Sequence, residues 1–230
     1  MSPAERDEPA ARPSEHAAPD EAIAVDDAGP SFEVVEDRVL HKRYLTTYNR
    51  VVRFGSGPEA RLVEYDVIGH PQCDFSYAVA VPFHPAAGGR PAQVTVIREY
   101  AQGPNCLQYC LPTGGFDPRK HGNLLDCARA EMREESMLVG GEVVELMPGD
   151  HPGQFEVKWC RNRFRAYLFV DPQPDPSGHA ARDAEEHTIE VSRISISELK
   201  ALALQGRMMM PSALTTFLAL EALAARGLLG

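Results

Sequence analysis

The chain has 230 residues, of which 43% are hydrophobic and 24% charged, and its formal net charge is −10. This length and apolar content are enough for a sizeable buried core and predict one domain with extensions. The negative charge argues against nucleic acid as a partner, because binding to a phosphate backbone requires clustered Lys and Arg. No apolar run approaches the length of a membrane span, so we expect no membrane association.

Residues 1–30 form an acidic leading segment with a net charge of −6. This segment is rich in Pro and Ala and has almost no large apolar residues, a composition that predicts disorder. It lacks the apolar core of a signal peptide, and its acidity is untypical of a transit peptide. We therefore expect a disordered tail over residues 1–30 and a folded domain over residues 31–230.

Strand-like runs dominate the first half of the chain. They are apolar segments separated by Gly, Pro and Asn, and they cover residues 32–39, 48–54, 61–68, 77–83, 93–100 and 107–111. A helix is predicted next, because Asn123 is a good N-cap with Asp126 three residues later. This helix should run to about Met137.

The second half returns to strands and then ends in helices. Strands are predicted near residues 142–147, 155–159, 164–170 and 188–194, with a polar loop over residues 171–187. Apolar residues at helical spacing predict two terminal helices, at residues 197–205 and 212–226. Local propensity alone thus indicates an α+β fold.

Three glutamates crowd the central helix. Glu131, Glu134 and Glu135 stand at i, i+3 and i+4, so their side chains project from one face. Like charges at this spacing repel each other unless they share a hard cation such as Mg²⁺ or Mn²⁺. Such a site is typical of phosphate chemistry. On the helix alone, a solvated face with Arg129 and Arg133 as compensating charges is the commoner arrangement.

The residues before the helix favour the metal hypothesis. An apolar run ends in Pro-Thr-Gly-Gly at residues 112–115, and the helix carries Glu-Met-Arg-Glu-Glu at residues 131–135. This pattern resembles the Nudix box, in which a glycine-rich turn and a glutamate helix bind divalent metals. The resemblance implies a Nudix-like three-layer α/β/α sandwich with a mixed β-sheet. It also implies metal ligands at Glu131, Glu134 and Glu135, helped by a backbone carbonyl near Thr113 or Gly114.

Three positions depart from the Nudix box. Lys120 stands where the first glutamate is expected, and Ala130 stands where the family has an arginine that orients the next glutamate. Met137 replaces the glycine that usually ends the helix, although the glycines at 140–141 offer a later stop. These departures keep an alternative open, a degenerate domain that binds a nucleotide or a protein partner without hydrolysing it.

Within the family, residues 45–226 resemble the ADP-ribose and nucleoside-diphosphate-sugar pyrophosphatases. The resemblance implies cleavage of a nucleoside diphosphate linked to another moiety, with Mg²⁺ or Mn²⁺ as cofactor and a nucleoside monophosphate as one product. Glu131 is then catalytic as well as a ligand, and Glu186 or Glu185 is the candidate base. Arg98 is a candidate phosphate contact, or else a solvent-facing arginine. Trp159 could stack on a base, or else pack in the core.

The cysteines and the family branch bear on compartment and assembly. The five cysteines form an odd set without Cys-X-X-Cys pairing, which favours free thiols in a reducing compartment and hence the cytoplasm. Cys106 and Cys110 lack the second Cys or His pair that a zinc site requires. Homodimers are common in the resembled branch, so a homodimer is expected by analogy.

Overall fold

The computed structural model describes residues 31–178 and 189–229. Of these, residues 31–41 and 47–67 form one compact unit, and residues 42–46, 68–178 and 189–229 form another. The tail expected over residues 1–30 lies outside the described residues. No helix in the described ranges is both long enough and apolar enough to cross a membrane.

The first unit is a three-stranded sheet. Its strands β1 (Phe32–Lys42), β2 (Thr46–Phe54) and β3 (Arg61–Gly69) lie in the order β1-β2-β3. Ion pairs join neighbouring strands, since an Arg50 Nη2 atom lies 2.9 Å from an Asp37 carboxylate oxygen. All three strands were predicted from the sequence, and they are confirmed.

The second unit contains the remaining elements. Eight of its strands form one sheet, and they are β4 (Ser76–His84), β5 (Gln93–Ala101), β6 (Cys106–Cys110), β7 (Thr113–Gly115), β9 (Glu142–Glu145), β10 (Gln154–Phe155), β11 (Arg163–Val170) and β13 (Glu190–Ser195). Two short strands, β8 (Leu138–Val139) and β12 (Gln173–Pro174), pair separately. The helices are α1 (Leu124–Ser136), α2 (Ile196–Leu204) and α3 (Met210–Ala225).

The eight-stranded sheet is mixed. Its central path runs β10-β11-β4-β5-β13, and β11 pairs with β4 in parallel, whereas β10, β9 and β13 pair with their neighbours antiparallel. Because β4 and β11 are central, they are buried on both faces and read as near-continuous apolar runs.

Helices cover both faces of this sheet. Successive residues of β4 point to opposite faces, so Ala78 and Ala80 pack in one core with Met132 of α1. Val81 packs in the other core with Leu223 of α3. All five side chains are fully buried, and each large one stabilises the fold by about 1.5–3 kcal/mol. The three-layer α/β/α arrangement and the mixed sheet predicted from the sequence are confirmed.

The sheet opens between β4 and β5. These two strands pair only beside their hairpin, at Phe83 with Val94 and at His84 with Gln93. Farther along, β6 pairs with β5 and β7 pairs with β4, so residues 106–115 fill the gap. Pro112 separates β6 from β7, because it has no backbone N–H to donate to a ladder. The opening places the two glycines of β7 beside α1.

The strand predicted over residues 155–159 is mostly wrong. Only Gln154–Phe155 pairs, as β10, and a turn follows in which the Cys160 N–H donates to the Val157 carbonyl. The strand predicted over residues 142–147 ends at Glu145. The short strand β7 was not predicted, because three residues with two glycines carry no strand pattern of their own.

Candidate functional site

Helix α1 begins and ends on side-chain and backbone caps. The Asn123 side-chain oxygen accepts from the Asp126 N–H at 2.9 Å, which confirms the predicted N-cap. At the other end Met137 adopts the left-handed conformation with φ of 58°, and its N–H donates to the Arg133 carbonyl. Met137 itself therefore ends the helix, which confirms the predicted end near Met137, and the alternative stop at residues 140–141 is not used.

Glu135 ties the helix to the glycine strand. Its side chain is only 5% exposed, and its Oε2 atom accepts from the Thr113 N–H at 2.9 Å. A buried carboxylate needs such donors, because leaving its charge unpaired in the interior costs several kcal/mol. The hydrogen bond fixes the side chain of Glu135 at the start of β7.

Glu131 lies directly over Gly114. A Cβ atom added to Gly114 would come within 2.0 Å of the Glu131 carboxyl carbon, so the carboxylate would have to move to make room for it. Gly114 thus permits the close approach of the carboxylate. The Gly114 carbonyl accepts from the Cys127 thiol at 3.5 Å, one turn before Glu131 on the helix. Glu131 and Glu135 therefore both meet β7.

The raised pKa values of two buried thiols indicate that carboxylates lie near them. Burial raises the pKa of Cys110, and the carboxylates of Glu99 and Glu135 raise it further. Burial likewise raises the pKa of Cys127, with further contributions that include Glu131 and Glu134. Neutral thiols thus stand among four carboxylates at one end of the sheet.

Glu99 is a carboxylate of this group that the sequence analysis did not assign to the site. It lies on β5, is half-buried, and is close enough to the Cys110 thiol to help raise the pKa of that thiol, as Glu135 also does. The available signal was the alternation of β5, because Glu99 shares a face with the fully buried Ile97. An acid on the buried face of a strand is an informative exception.

The two arginines of the helix have aspartate partners. Arg133 Nε lies 2.6 Å from an Asp175 carboxylate oxygen, and Arg129 pairs with Asp126 at 3.3 Å. Hydrogen bonds from Arg133, together with those from Ser177, lower the pKa of Asp175 to about 2. Both arginines of the helix thus form ion pairs with aspartates.

The loop before α1 has its own contacts. Lys120 is exposed, and His121 is half-buried with its Nδ1 atom accepting from the Asp117 N–H at 3.1 Å. His121 therefore orders the loop locally.

Arg98 is not placed with the carboxylates. Its side chain lies on the same face of β5 as Val96, which belongs to the core under α2 and α3, and hence opposite Glu99. It pairs with Glu190 at 3.3 Å and lies beside the Tyr109 ring. The solvent-facing alternative fits this arrangement in part, since 34% of the side chain is exposed. A role in phosphate binding stays a prediction.

The last predicted site residues are Trp159, Glu185 and Glu186. Trp159 is 55% exposed, so its alternative role in core packing is wrong, and stacking on a base stays a prediction. Glu185 and Glu186, the candidate bases, lie outside the described residues. All five cysteines are free, as expected.

The carboxylates fit a hard divalent cation in the kind of donor they offer. Oxygen ligands from glutamates and a backbone carbonyl are what Mg²⁺ and Mn²⁺ prefer. Within residues 31–178 and 189–229, however, no three His, Cys, Asp or Glu side chains converge closely enough to form a metal site. Binding a cation here would require the side chains to turn toward one another.

Comparisons with known proteins support the fold. No protein-family model and no curated protein sequence matches the chain. Among solved structures, the crystal structure of an ADP compounds hydrolase matches with a TM-score of 0.62 over 86% of this chain and 96% of that chain. The chain shares the fold of that hydrolase. At 14% sequence identity, the likeness is one of fold alone.

Proposed function

We propose that the chain is a divalent-metal-dependent pyrophosphohydrolase of the Nudix type. Its substrate would be a nucleoside diphosphate linked to another moiety, of the ADP-ribose or ADP-sugar kind, and its products a nucleoside monophosphate and a phosphorylated compound. The observation that carries the proposal is the meeting of Glu131 and Glu135 with Thr113 and Gly114. The shared fold with an ADP compounds hydrolase supports the same reading.

Glu131, Glu134 and Glu135 would hold Mg²⁺ or Mn²⁺, with the carbonyl of Thr113 or Gly114 as a further ligand. The ion would neutralise charge on the diphosphate and lower the pKa of a bound water. The buried Glu135 is held in place by the Thr113 N–H, which orients one carboxylate before any ligand arrives. Gly114 leaves the space that the Glu131 carboxylate occupies.

Further residues complete the proposed reaction. Glu186, or else Glu185, would accept the proton of the attacking water. Arg98 would contact a phosphate group, and the exposed Trp159 would stack on the base of the substrate. Arg98 lies on the other face of β5 from Glu99. It can therefore take this role only if a diphosphate, bound by the same chain or by the partner chain of a homodimer, reaches that face.

A degenerate binding module is the second candidate. It is favoured by Ala130 in place of the family's arginine and by the lack of convergence among carboxylates in the described residues. Such a module would bind a nucleotide or a protein partner without turning it over. Its nucleotide binding would survive removal of the metal by a chelator.

Product detection separates the two candidates. The full chain is incubated with ADP-ribose, ADP-glucose, UDP-glucose, NADH, dinucleoside polyphosphates and nucleoside triphosphates, each with Mg²⁺, with Mn²⁺ or with a chelator. Release of a nucleoside monophosphate in the metal-containing reactions alone is the result expected of the pyrophosphohydrolase. A nucleotide that binds to the chain but yields no product in any of these reactions would instead establish the binding module.

We also propose that the chain forms a homodimer in the cytoplasm. Three large apolar side chains on the sheet of the first unit are well exposed, Phe32 by 67%, Leu62 by 62% and Tyr65 by 41%. Exposed apolar groups on a small sheet favour a protein partner. Light scattering of the purified chain tests the assembly, and a mass of one chain at micromolar concentration would contradict it.

A further inference from the structure

A pocket of about 250 Å³ lies at the end of the sheet where β4 ends and β5 begins. Its lining comes from the β4–β5 hairpin, from the segment after β11 and from β13, and includes His84, Arg90, Asp171 and Arg193. The volume is below that of sites for drug-sized ligands, so a ligand of this pocket is compact. The proposed metal residues take no part in it.

Strand pairing aligns three polar side chains beside this pocket. Arg193 of β13 lies directly opposite Thr95 of β5. The Thr95 hydroxyl in turn hydrogen-bonds with the His84 Nε2 atom at 2.8 Å. The three side chains share the face that carries α1, because they alternate with residues of the opposite core. Their positions are therefore set by the sheet.

Backbone hydrogen bonds fix the other two charged residues. Arg90 closes the hairpin turn, since its N–H donates to the Ala87 carbonyl at 3.0 Å and its carbonyl accepts from the Ala87 N–H. Asp171 has φ of 58°, and its N–H donates to the Phe83 carbonyl at 2.8 Å. The hairpin turn is thus closed on itself, and the loop after β11 is tied to the end of β4.

The charge of the pocket is positive in an acidic protein. Arg90 and Arg193 make no ion pair or side-chain hydrogen bond with any residue in the described ranges. Asp171 is the one carboxylate among the residues that line the pocket. Burial, followed by the charge of Arg193, lowers the pKa of His84 to about 4, so its imidazole is neutral at pH 7. Two guanidinium groups therefore outnumber one carboxylate.

We propose that this pocket is a second ligand site, which binds a phosphate group through the guanidinium groups of Arg90 and Arg193. Arginine suits this role, because its planar fork donates two parallel hydrogen bonds to a tetrahedral oxyanion. The neutral His84 ring adds a polar contact at the floor. The ligand is inorganic phosphate or a small organic phosphate, since the volume admits no full dinucleotide.

Backbone NMR shifts of the full chain test the site. Inorganic phosphate and glycerol 3-phosphate are titrated at constant ionic strength with a chelator present, so that no metal bridges phosphate to the glutamates. Saturable shifts are expected at residues 84–93, 171–174 and 193, with none at residues 113–115. Tighter binding of the ester would identify an organic phosphate as the ligand, and tighter binding of phosphate would identify the inorganic ion.

Four variants make the test specific. Arg90→Gln and Arg193→Gln should each weaken phosphate binding roughly tenfold. Arg38→Gln, at another exposed arginine, on β1, should leave it unchanged. Asp171→Asn should strengthen binding, because it removes the one negative charge and Asn tolerates the left-handed conformation. A misfolded protein cannot produce that gain. Absence of saturable shifts in the pocket, or equal binding by Arg193→Gln and the natural chain, would overturn the proposal.

Discussion

The two ends of one sheet face carry opposite charge. Where β4 begins, Glu131 and Glu135 meet β7 with Glu99 nearby, and where β4 ends, Arg90 and Arg193 line a pocket. Ala78 and His84 mark the two ends on β4, six residues and roughly 20 Å apart. The net charge of −10 does not show that positive and negative groups lie at opposite ends of the sheet. One rigid sheet can therefore present a cation site and an anion site independently.

The two ends also differ in how their charges are held. At the acidic end the Glu135 carboxylate is buried and takes a backbone hydrogen bond, so its position is preorganised. At the basic end the arginine side chains are exposed and can adapt to a ligand. We expect chemistry at the first end and reversible binding at the second.

The largest expected effect is that of Glu135→Gln at the acidic end. Glutamine keeps the shape and an acceptor for the Thr113 N–H but loses the charge, so hydrolysis should fall roughly 100- to 1,000-fold. Steady-state kinetics with ADP-ribose measure this loss. Glu221→Gln, an exposed glutamate on α3, is the matched control and should be fully active. Full activity of Glu135→Gln would remove the acidic end from the reaction.

Gly114→Ala should lower activity only by steric displacement of a neighbouring side chain. The added methyl group would displace the Glu131 carboxylate, and a shift of about 1 Å in a reacting group can cost roughly 100-fold in rate. Thermal unfolding should change little, because the clash involves the tip of a flexible side chain. Gly103→Ala is the control, since nothing lies within 4 Å of its added methyl group. Equal rates for both variants would contradict the proposed role of Glu131.

Glu99→Gln tests whether β5 contributes to the acidic end. Removing this charge should weaken Mn²⁺ binding roughly tenfold, as is usual for groups that surround metal ligands. Calorimetry with Mn²⁺ measures the change. If the affinity is unchanged, the charge of Glu99 has no influence on the site, and Glu99 serves only the Cys110 thiol.

The last expected effect is on stability rather than on activity or binding, and it is a pH dependence at the basic end. The pKa of His84 is lowered to about 4 in the folded chain from an ordinary value of 6.5, so the unfolded chain binds the proton more tightly. The free energy of unfolding should therefore fall as the pH drops from 6.5 to 4, by at most about 3 kcal/mol from this residue. Denaturant titrations of the natural chain and His84→Gln measure the difference. Identical pH slopes for the two chains would show that His84 is not responsible.

Local sequence patterns predicted the helices and strands better than the contacts between them. The apolar runs at 77–83 and 93–100 predicted β4 and β5, and Asn123 predicted the start of α1, because each signal lies within a few residues. The fit of Glu131 over Gly114 depends on packing between α1 and β7. It could not be derived from spacing, although the Nudix resemblance pointed to both residues.

The missed features arise from long-range pairing. Glu99 joins the acidic end only because β6 pairs with β5 and brings Cys110 and Glu135 beside it. The basic pocket depends in the same way on the pairing of Arg193 with Thr95. The core-packing alternative for Trp159 is wrong for a local reason, since a turn after Phe155 ends β10 and leaves the indole exposed.

The most direct test of the acidic end is anomalous X-ray diffraction from crystals of the full chain grown with Mn²⁺. A manganese peak bounded by Glu131, Glu134 and Glu135, within about 2.5 Å of their oxygens, is the predicted result. Occupied manganese sites elsewhere with none beside these glutamates would contradict the proposed metal-dependent hydrolysis.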